Sequence, residues 1–597
     1  MSASERICGR PGTMNNRDIA SVLKNIALFA DLAGENPFKV RAFEQASRIV
    51  ASYPGEIAQV ARSRHLTEIS GIGKGVAEVI AECVESGKSS LLETLRSSFP
   101  EHVPELLELP GMGPKKVKTV WEKLGISNVG ELEYACRENR LLVLEGFGAK
   151  TQQKILDGIE RRKRYRDTRL ISEAYGIGRQ VMEELEGSGL FSKVRMAGSM
   201  RRGNTVFTDI DLLLVPAPGA ADERVNAALT GLAEADMEEP DCSVPASQPG
   251  SVTIRRRGIR IEFRIVPERS FPSALQLYTG SRDHNALLRS RAERMGIAMN
   301  RQGDFDQRSP HAAATEEEVY TRLGLSFIPP EIREAAGEIE AAERGEIPPL
   351  VTARDVKGMI HVHSSYSDGV CGLRTLAEEC IRLGYSYLCV SDHSRSAFYA
   401  NGLSEERLLA QRSEVEALGR ELAPFRIFCG VESDILTDGG LDYPEHVLGT
   451  LDFVIGSIHS RLSMDPSEAT VRLLKAIDNP FLTILGHISG RLLLSRDGYG
   501  YDEDRILEAL ARRSVVLEHN CNPHRLDPDW PFLKKAAASG IPVSLGPDAH
   551  SLEGFADMEY GLIMARKGWI TPGGILNCLT TEEIDEYFRR RKKEKGL

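Results

Sequence analysis

Gly358-Met359-Ile360-His361-Val362-His363 reads as a short apolar strand that ends in two possible metal ligands. Asp548-Ala549-His550 repeats the ending further on, and Asp368, His393, Glu432, His459 and His487 fall between the two. In a strand, residues i and i+2 point to the same face, so each X-Z-X pair can aim two ligands at one centre. Nine of the thirteen histidines lie between positions 361 and 550, under a third of the 597 residues. Around them run strand-like apolar segments at 358–363, 387–391, 425–431, 453–457, 482–486, 515–520 and 542–545, with helical stretches between. About seven βα units with donors at the strand C-terminal ends predict an α/β barrel whose active site forms at that face. One such histidine alone is more often structural or solvated. The series as a whole predicts a polynuclear metal site and a metal-dependent phosphoesterase.

Upstream, Ala197-Gly198-Ser199-Met200-Arg201-Arg202-Gly203 precedes Asp209-Ile210-Asp211-Leu212-Leu213. Strand-like runs surround them at 193–196, 211–215, 252–257 and 259–266. Asp209 and Asp211 share a strand face. Two carboxylates there can hold two divalent ions, Mg²⁺ or Mn²⁺, that activate a 3′-hydroxyl and clamp a triphosphate. Gly198 and Ser199 offer backbone and hydroxyl donors to phosphate oxygens, with Arg201 or Arg202 adding charge. A lone Asp-X-Asp is usually a solvated strand edge. The Gly-Ser and Arg-Arg-Gly before it turn the pattern into that of a nucleotidyltransferase.

Residues 14 to about 167 read as helices punctuated by three similar turns: Ser70-Gly71-Ile72-Gly73-Lys74-Gly75, Leu109-Pro110-Gly111-Met112-Gly113-Pro114-Lys115-Lys116 and Leu144-Glu145-Gly146-Phe147-Gly148-Ala149-Lys150. This pattern resembles the helix-hairpin-helix motif of DNA-binding proteins. Glycines let a backbone approach a phosphate, and the helix that follows offers free N–H groups and the positive end of its dipole. The expected DNA contacts are Gly71, Gly73, Lys74, Gly111, Gly113, Lys115, Gly146 and Gly148. Such contacts hold DNA without reading its sequence.

Residues 14–330 thus resemble a family X DNA polymerase, and 351–597 resemble the PHP (polymerase and histidinol phosphatase) domain. Nearly the whole chain is similar to the bacterial family X DNA polymerases. The resemblance implies a multidomain α+β and α/β fold. Its expected parts are a flexible extension (1–13), a helical lyase-like DNA-binding domain (14–95), fingers with helix-hairpin-helix motifs (96–167), a nucleotidyltransferase palm with an antiparallel or mixed sheet (168–267), a thumb (268–330), a helical linker (331–350) and a distorted (β/α)7 PHP barrel (351–597).

The resemblance also assigns roles. Tyr278-Thr279-Gly280-Ser281 is expected to pack against the incoming sugar and base, with Tyr278 and Gly280 in contact, and Asn285 to reach the nucleotide's minor-groove edge. His361, His363, Asp368, His393, Glu432, His459, His487, Asp548 and His550 are expected to hold three ions of Mn²⁺, Zn²⁺ or iron, with Glu432 as a bridging ligand and Arg491 on a phosphate oxygen. His446, His519 and His524 match no ligand position. The implied barrel activity is a Mn²⁺-stimulated 3′→5′ exonuclease that processes blocked 3′ ends.

Four departures from the family pattern carry expectations of their own. Glu262 stands where the third palm carboxylate is normally aspartate, and its extra methylene is expected to weaken or alter polymerisation rather than abolish it. Val79 stands near the place of the family's Schiff-base lysine. A lyase needs an amine nucleophile, so borohydride should trap no DNA adduct at that position. Met359 replaces a frequent aspartate, and Leu277 lies where some members carry an aromatic that excludes ribonucleotides.

A net charge of −11 argues against a globally basic nucleic-acid binder but not against local DNA contacts. Ten cysteines without a CxxC pair fit reduced thiols in a cytoplasm. No apolar run suits a membrane span, and Met1 to Met14 has no signal-like apolar core. The leading expectation is a monomeric cytoplasmic repair polymerase that fills gaps on gapped or primer-template DNA with dNTPs and trims 3′ ends. A second reading keeps the PHP phosphoesterase on a degenerate polymerase platform, and a third is a DNA-end-binding scaffold with structural metals.

Overall fold

The computed structural model describes residues 14–597 apart from 101, 138–140, 142–143, 166–167, 235–249, 298–312, 398–399 and 495–496. The expected N-terminal extension, 1–13, lies outside the described residues. The chain divides into two compact units, Met1–Arg166 and Asp167–Leu597.

The first unit is helical, built on stripes such as Ile19, Leu23, Ile26 and Ala30 of the Asn16–Ala33 helix, all fully buried. Its three glycine turns share one geometry. Gly71, Gly111 and Gly146 have φ of +91°, +87° and +82°, which penalises any Cβ. Ile72, Met112 and Phe147 are buried, and their amides donate to the carbonyls of Ile69, Leu109 and Leu144 at 3.0, 3.1 and 3.1 Å. Gly73, Gly113 and Gly148 then open the Lys74–Ser86, Pro114–Leu124 and Ala149–Tyr165 helices.

In the second unit, β1 (Phe191–Met196), β2 (Asp209–Pro216), β3 (Ser251–Arg256) and β4 (Ile259–Ile265) form a mixed sheet in the order β1-β2-β4-β3. β2 and β4 are parallel, and the other pairs are antiparallel. Then follow β5 (Gly358–Val362), β6 (Tyr387–Val390), β7 (Arg426–Asp434), β8 (Phe453–Ser457), β9 (Ile484–Leu485), β10 (Val516–Asn520) and β11 (Val543–Gly546). These seven lie in sequential order, every neighbouring pair parallel. A parallel bridge from Val362 to Ala549 nearly closes the barrel. Ile360, Tyr387, Phe428, Phe453, Ile455, Ile484 and Val516 pack together with Ile584 and Phe588 of the Thr581–Lys595 helix.

Two stretches differ from expectation. Residues 331–350, expected as a helical linker, pack into the neighbouring core. They hold one seven-residue helix, Glu338–Arg344, and Ile332, Ile339 and Leu350 join Leu288, Tyr320 and Leu323 in a core. Two of its charges are buried and paired, with Arg333 Nη1 2.6 Å from Glu316 Oε1 and Glu338 Oε1 2.7 Å from His284 Nδ1. Arg591, in a basic run that reads as a solvated helix end, is buried and donates to the carbonyls of Pro480 and Leu482.

Candidate active sites of the palm and the barrel

In the palm, Glu262 is the register partner of Asp211 across the parallel β2–β4 ladder, and Asp209 stands two residues before Asp211 on the same face. Burial first, then the nearby Asp209 and Glu262, pushes the Asp211 carboxyl up to about 6. So crowded a set of carboxylates favours a cation. Arginines supply the charge in the described state: Arg260 pairs with Asp209 and Arg264 with Glu262, while Arg264 also lies 5.3 Å from the Tyr278 ring centroid. Gly198 passes directly over Asp211. At φ +56°, a Cβ there would meet Asp211 Oδ2 at 1.9 Å, so only glycine fits. Half-buried Ser199 follows it in the Gly198–Arg201 helix.

Both arginines of the Arg-Arg-Gly motif are engaged in this state. Arg201 grips Glu316 through both Nη atoms at 2.8 and 2.6 Å. Arg202 donates to Glu334 at 3.1 Å and to the Thr279 carbonyl at 2.6 Å. The thumb and the following segment bring these acceptors from more than 70 residues away in sequence. Asn285 donates to the Leu277 carbonyl at 2.7 Å and accepts from Gln276 at 2.9 Å, so it braces the turn that holds Tyr278 and Gly280.

In the barrel, the nine expected ligands converge. Three donor sets lie within 4.8 Å: His363, Asp368, His393 and His550; His361, His363 and Asp548; and His393, Glu432 and His459. His363 and His393 are each shared by two sets. His487 joins through Glu432, at 3.0 Å from its Oε1. Glu432 is the hub, with its oxygens also 2.9 Å from His393, 3.3 Å from His459, 3.4 Å from His361 and 3.7 Å from His363.

The electrostatics suit cations. Burial opposes charge on Glu432 and Asp548, yet the surrounding histidines hold both carboxyls well below the usual range. Burial, then His393 and His550, pulls His363 down to about 3. Burial also opposes charge on His459, but Glu432 and Asp434 hold it up at about 10. His363 Nδ1 is buried without a hydrogen-bond partner among the described residues. Buried polar atoms rarely go unpaired, so this orphan fits a metal-binding role.

Geometry amends the simple strand argument. β5 has a register shift between Ile360 and Val362, and His361 sits there at φ +68°. Asp548 lies beyond the end of β11 at φ +53°. The X-Z-X pairs therefore converge through a bulge and a turn rather than plain alternation.

Several neighbours were not foreseen. Glu518, fully buried on β10, pairs with His361 Nδ1 and accepts from the His487 amide at 3.2 Å. Asp434 holds His459 Nδ1 at 2.6 Å, and Asn520 donates to Asp548 at 3.1 Å. Such partners fix ring and carboxylate orientation. The signal was the Glu518-His519-Asn520 ending of β10, where His519 itself turns away to the Pro528 carbonyl at 3.1 Å. Asp392, next to His393 in the chain, organises the loop that leads to Asp368: it accepts from the Ser364 amide at 2.8 Å and the Ser367 amide at 3.1 Å. Met359 lies in the apolar core.

Arg491 also differs from expectation. Its Nε donates to the Arg525 carbonyl at 2.9 Å and its Nη2 to the Leu526 carbonyl, so it braces a turn rather than facing a phosphate. Arg525, on that turn, has its Nε 3.7 Å from Asp548 Oδ2 and is one-fifth exposed.

Comparison with known proteins follows this architecture. Family models match at 14–89 (helix-hairpin-helix domain), 103–161 (SAM-like helix-hairpin-helix tandem), 274–334 (DNA polymerase beta thumb) and 360–520 (PHP domain). The DNA polymerase/3′-5′ exonuclease PolX of Bacillus subtilis is 36% identical over 583 residues, covering 97% of this chain and all of that protein. The chain belongs to the bacterial family X DNA polymerases with a PHP domain. Two further relatives match parts of the chain. Human DNA-directed DNA/RNA polymerase mu is 25% identical over 55% of this chain and 71% of its own length. A probable phosphatase of Thermoanaerobacter is 27% identical over 37% of this chain and 89% of its own. Within the family X frame, Val79 is buried in the core of the first unit, an environment without an amine nucleophile at that position.

Proposed function

We propose that this family X polymerase fills short DNA gaps at the palm and trims 3′ ends at the barrel, with separate metal sets for the two reactions. The observation that carries the reading is the presence in one unit of both carboxylate constellations: Asp209, Asp211 and Glu262 on β2 and β4, and the Glu432-centred cluster of the barrel. The register pairing of Glu262 with Asp211 favours a working polymerase over a degenerate platform. DNA and dNTPs are its substrates, and among the described residues no helix is long and apolar enough to cross a membrane.

In this reading Asp209, Asp211 and Glu262 hold Mg²⁺ or Mn²⁺, and the nine barrel residues hold Mn²⁺, Zn²⁺ or iron, acting as a monomer in the cytoplasm. Bound metals there supply Lewis acidity, neutralise phosphate charge and provide hydroxide near neutral pH. The chain's own groups do the rest. Gly198 and Ser199 present donors to the triphosphate, and Arg202 joins them on leaving Glu334. Tyr278 and Gly280 pack against the nucleotide, and Asn285 steadies their turn with one amide hydrogen left over. Glu262, released from Arg264, takes the proton of the 3′-hydroxyl. The open first turns of the Lys74–Ser86 and Pro114–Leu124 helices, which lack a capping side chain, receive DNA phosphates, with Lys74 and Lys115 exposed beside them. The third glycine turn, through Gly146 and Gly148, adds a like contact.

In the barrel, Arg525 grips the phosphate that is cleaved, and Arg491 holds its turn. The Arg525 guanidinium touches Asp548 only loosely, which leaves its Nη atoms for a bidentate phosphate contact. Arg525→Ala should lower kcat/KM for trimming roughly 10- to 100-fold, the worth of a charge-assisted hydrogen bond, with metal content unchanged. Unchanged trimming would remove Arg525 from the site.

Chelation tests the catalytic role of the barrel metals. Dialysis against a chelator should abolish trimming of a 5′-labelled primer, leave the circular dichroism spectrum folded, and allow recovery on adding Mn²⁺. Unfolding on chelation would favour the structural-metal scaffold instead.

A further inference from the structure

We infer that Lys567, on the outer layer of the PHP barrel, is a positioning residue for the polymerase site. It neutralises Glu334, so that Arg202 can leave that carboxylate for the triphosphate. The inference rests on the phosphate-binding role proposed for Arg202.

The Met558–Lys567 helix of the barrel lies against the phosphate loop of the palm. At Gly203, where φ is +68°, a Cβ would come 2.1 Å from Ile563 Cγ2 of that helix. Four residues later, Lys567 is 3% exposed, and its Nζ donates to the Arg202 carbonyl at 3.0 Å, to Asn204 Oδ1 at 3.4 Å and to Glu334 Oε1. Arg202 Nε contacts the same Glu334 oxygen at 3.1 Å. One carboxylate oxygen is therefore shared by two cations, one from the phosphate loop and one from the barrel.

Sharing has a physical consequence. Glu334 is 17% exposed, and a half-buried carboxylate that loses its only cation pays heavily in desolvation. With Lys567 in place, Arg202 can depart and Glu334 stays paired. Without Lys567, Glu334 holds Arg202 alone and more tightly, and the triphosphate must break that pair to recruit it. A buried ammonium is costly in its own right, so a purely space-filling role for this position would be better met by an apolar residue.

The test is steady-state single-nucleotide gap filling by the full-length chain, with trimming measured in parallel as a control of the fold. Lys567→Met should raise KM for dNTP about tenfold with kcat within about twofold, because binding is weakened and chemistry is not. Adding Glu334→Gln to Lys567→Met should bring KM back toward the parent value, since the carboxylate that traps Arg202 is gone. Trimming should be unchanged in both variants. An unchanged KM in Lys567→Met, or a loss that Glu334→Gln does not relieve, would overturn the inference and leave Lys567 a packing residue. Arg202→Ala separates the two levels: if it leaves KM for dNTP unchanged, the reading of Arg202 itself fails.

Discussion

Asp211→Ala should cut gap filling at least about a thousandfold, on the order of 4 kcal/mol of barrier, and leave 3′-end trimming within about twofold. Asp211 is the inner member of the palm trio, covered by Gly198 and flanked in register by Glu262. No neighbour can replace its oxygen, because Asp209 and Glu262 have places of their own in the proposed trio and neither lies under Gly198 as Asp211 does. The variant should fold. The Asp211 carboxyl is pushed up to about 6, above its ordinary range, by burial and by its acidic neighbours. A group whose folded-state pKa is raised stabilises the fold in its protonated form, below the unfolded value, and that contribution is lost as pH rises through about 6. At neutral pH, removing the charge therefore relieves the fold. Asp209→Ala should act in the same direction. Primer extension and trimming of one preparation check both, and joint loss in a folded variant would refute the independence of the sites.

Glu432→Gln should do the reverse: trimming falls at least about a thousandfold, again on the order of 4 kcal/mol, while extension stays within about twofold. Glu432 is within 3.7 Å of five histidines, more than any other candidate ligand. The amide keeps its volume but loses the negative charge that draws cations into the cluster. Metal analysis of the purified variant should show at least about one ion fewer per chain than the parent. Full metal content with full trimming would move the hub elsewhere.

Much of this was legible in the chain because the signals are local. Strands of a parallel barrel, buried on both faces, read as continuous apolar runs, and all seven were found, though 482–486 shrinks to the two paired residues Ile484–Leu485. The glycine turns were legible because φ values of +82° to +91° demand glycine at fixed spacing. What stayed hidden depends on partners far apart in sequence. Glu518 meets His361 across 157 residues, and Lys567 meets Glu334 across 233. Arg491 looked like a phosphate ligand because it follows His487 closely, but nothing local shows that its guanidinium is used on backbone carbonyls at 525 and 526. Residues 331–350 read as a helical linker, and composition cannot show that Ile332, Ile339 and Leu350 join a core with Leu288 and Tyr320.

The central claim is that one chain carries a working polymerase and a separate 3′ nuclease. One gel tests it: a 5′-labelled primer on a one-nucleotide-gapped duplex, incubated with Mn²⁺ with and without dNTPs, using the parent chain and a variant disabled at His361 and His363. The account predicts shortening without dNTPs and extension with them for the parent, and extension without shortening for the variant. Shortening by the parent in both lanes, with no extension by the variant, would contradict it and leave a PHP nuclease on an inactive polymerase frame.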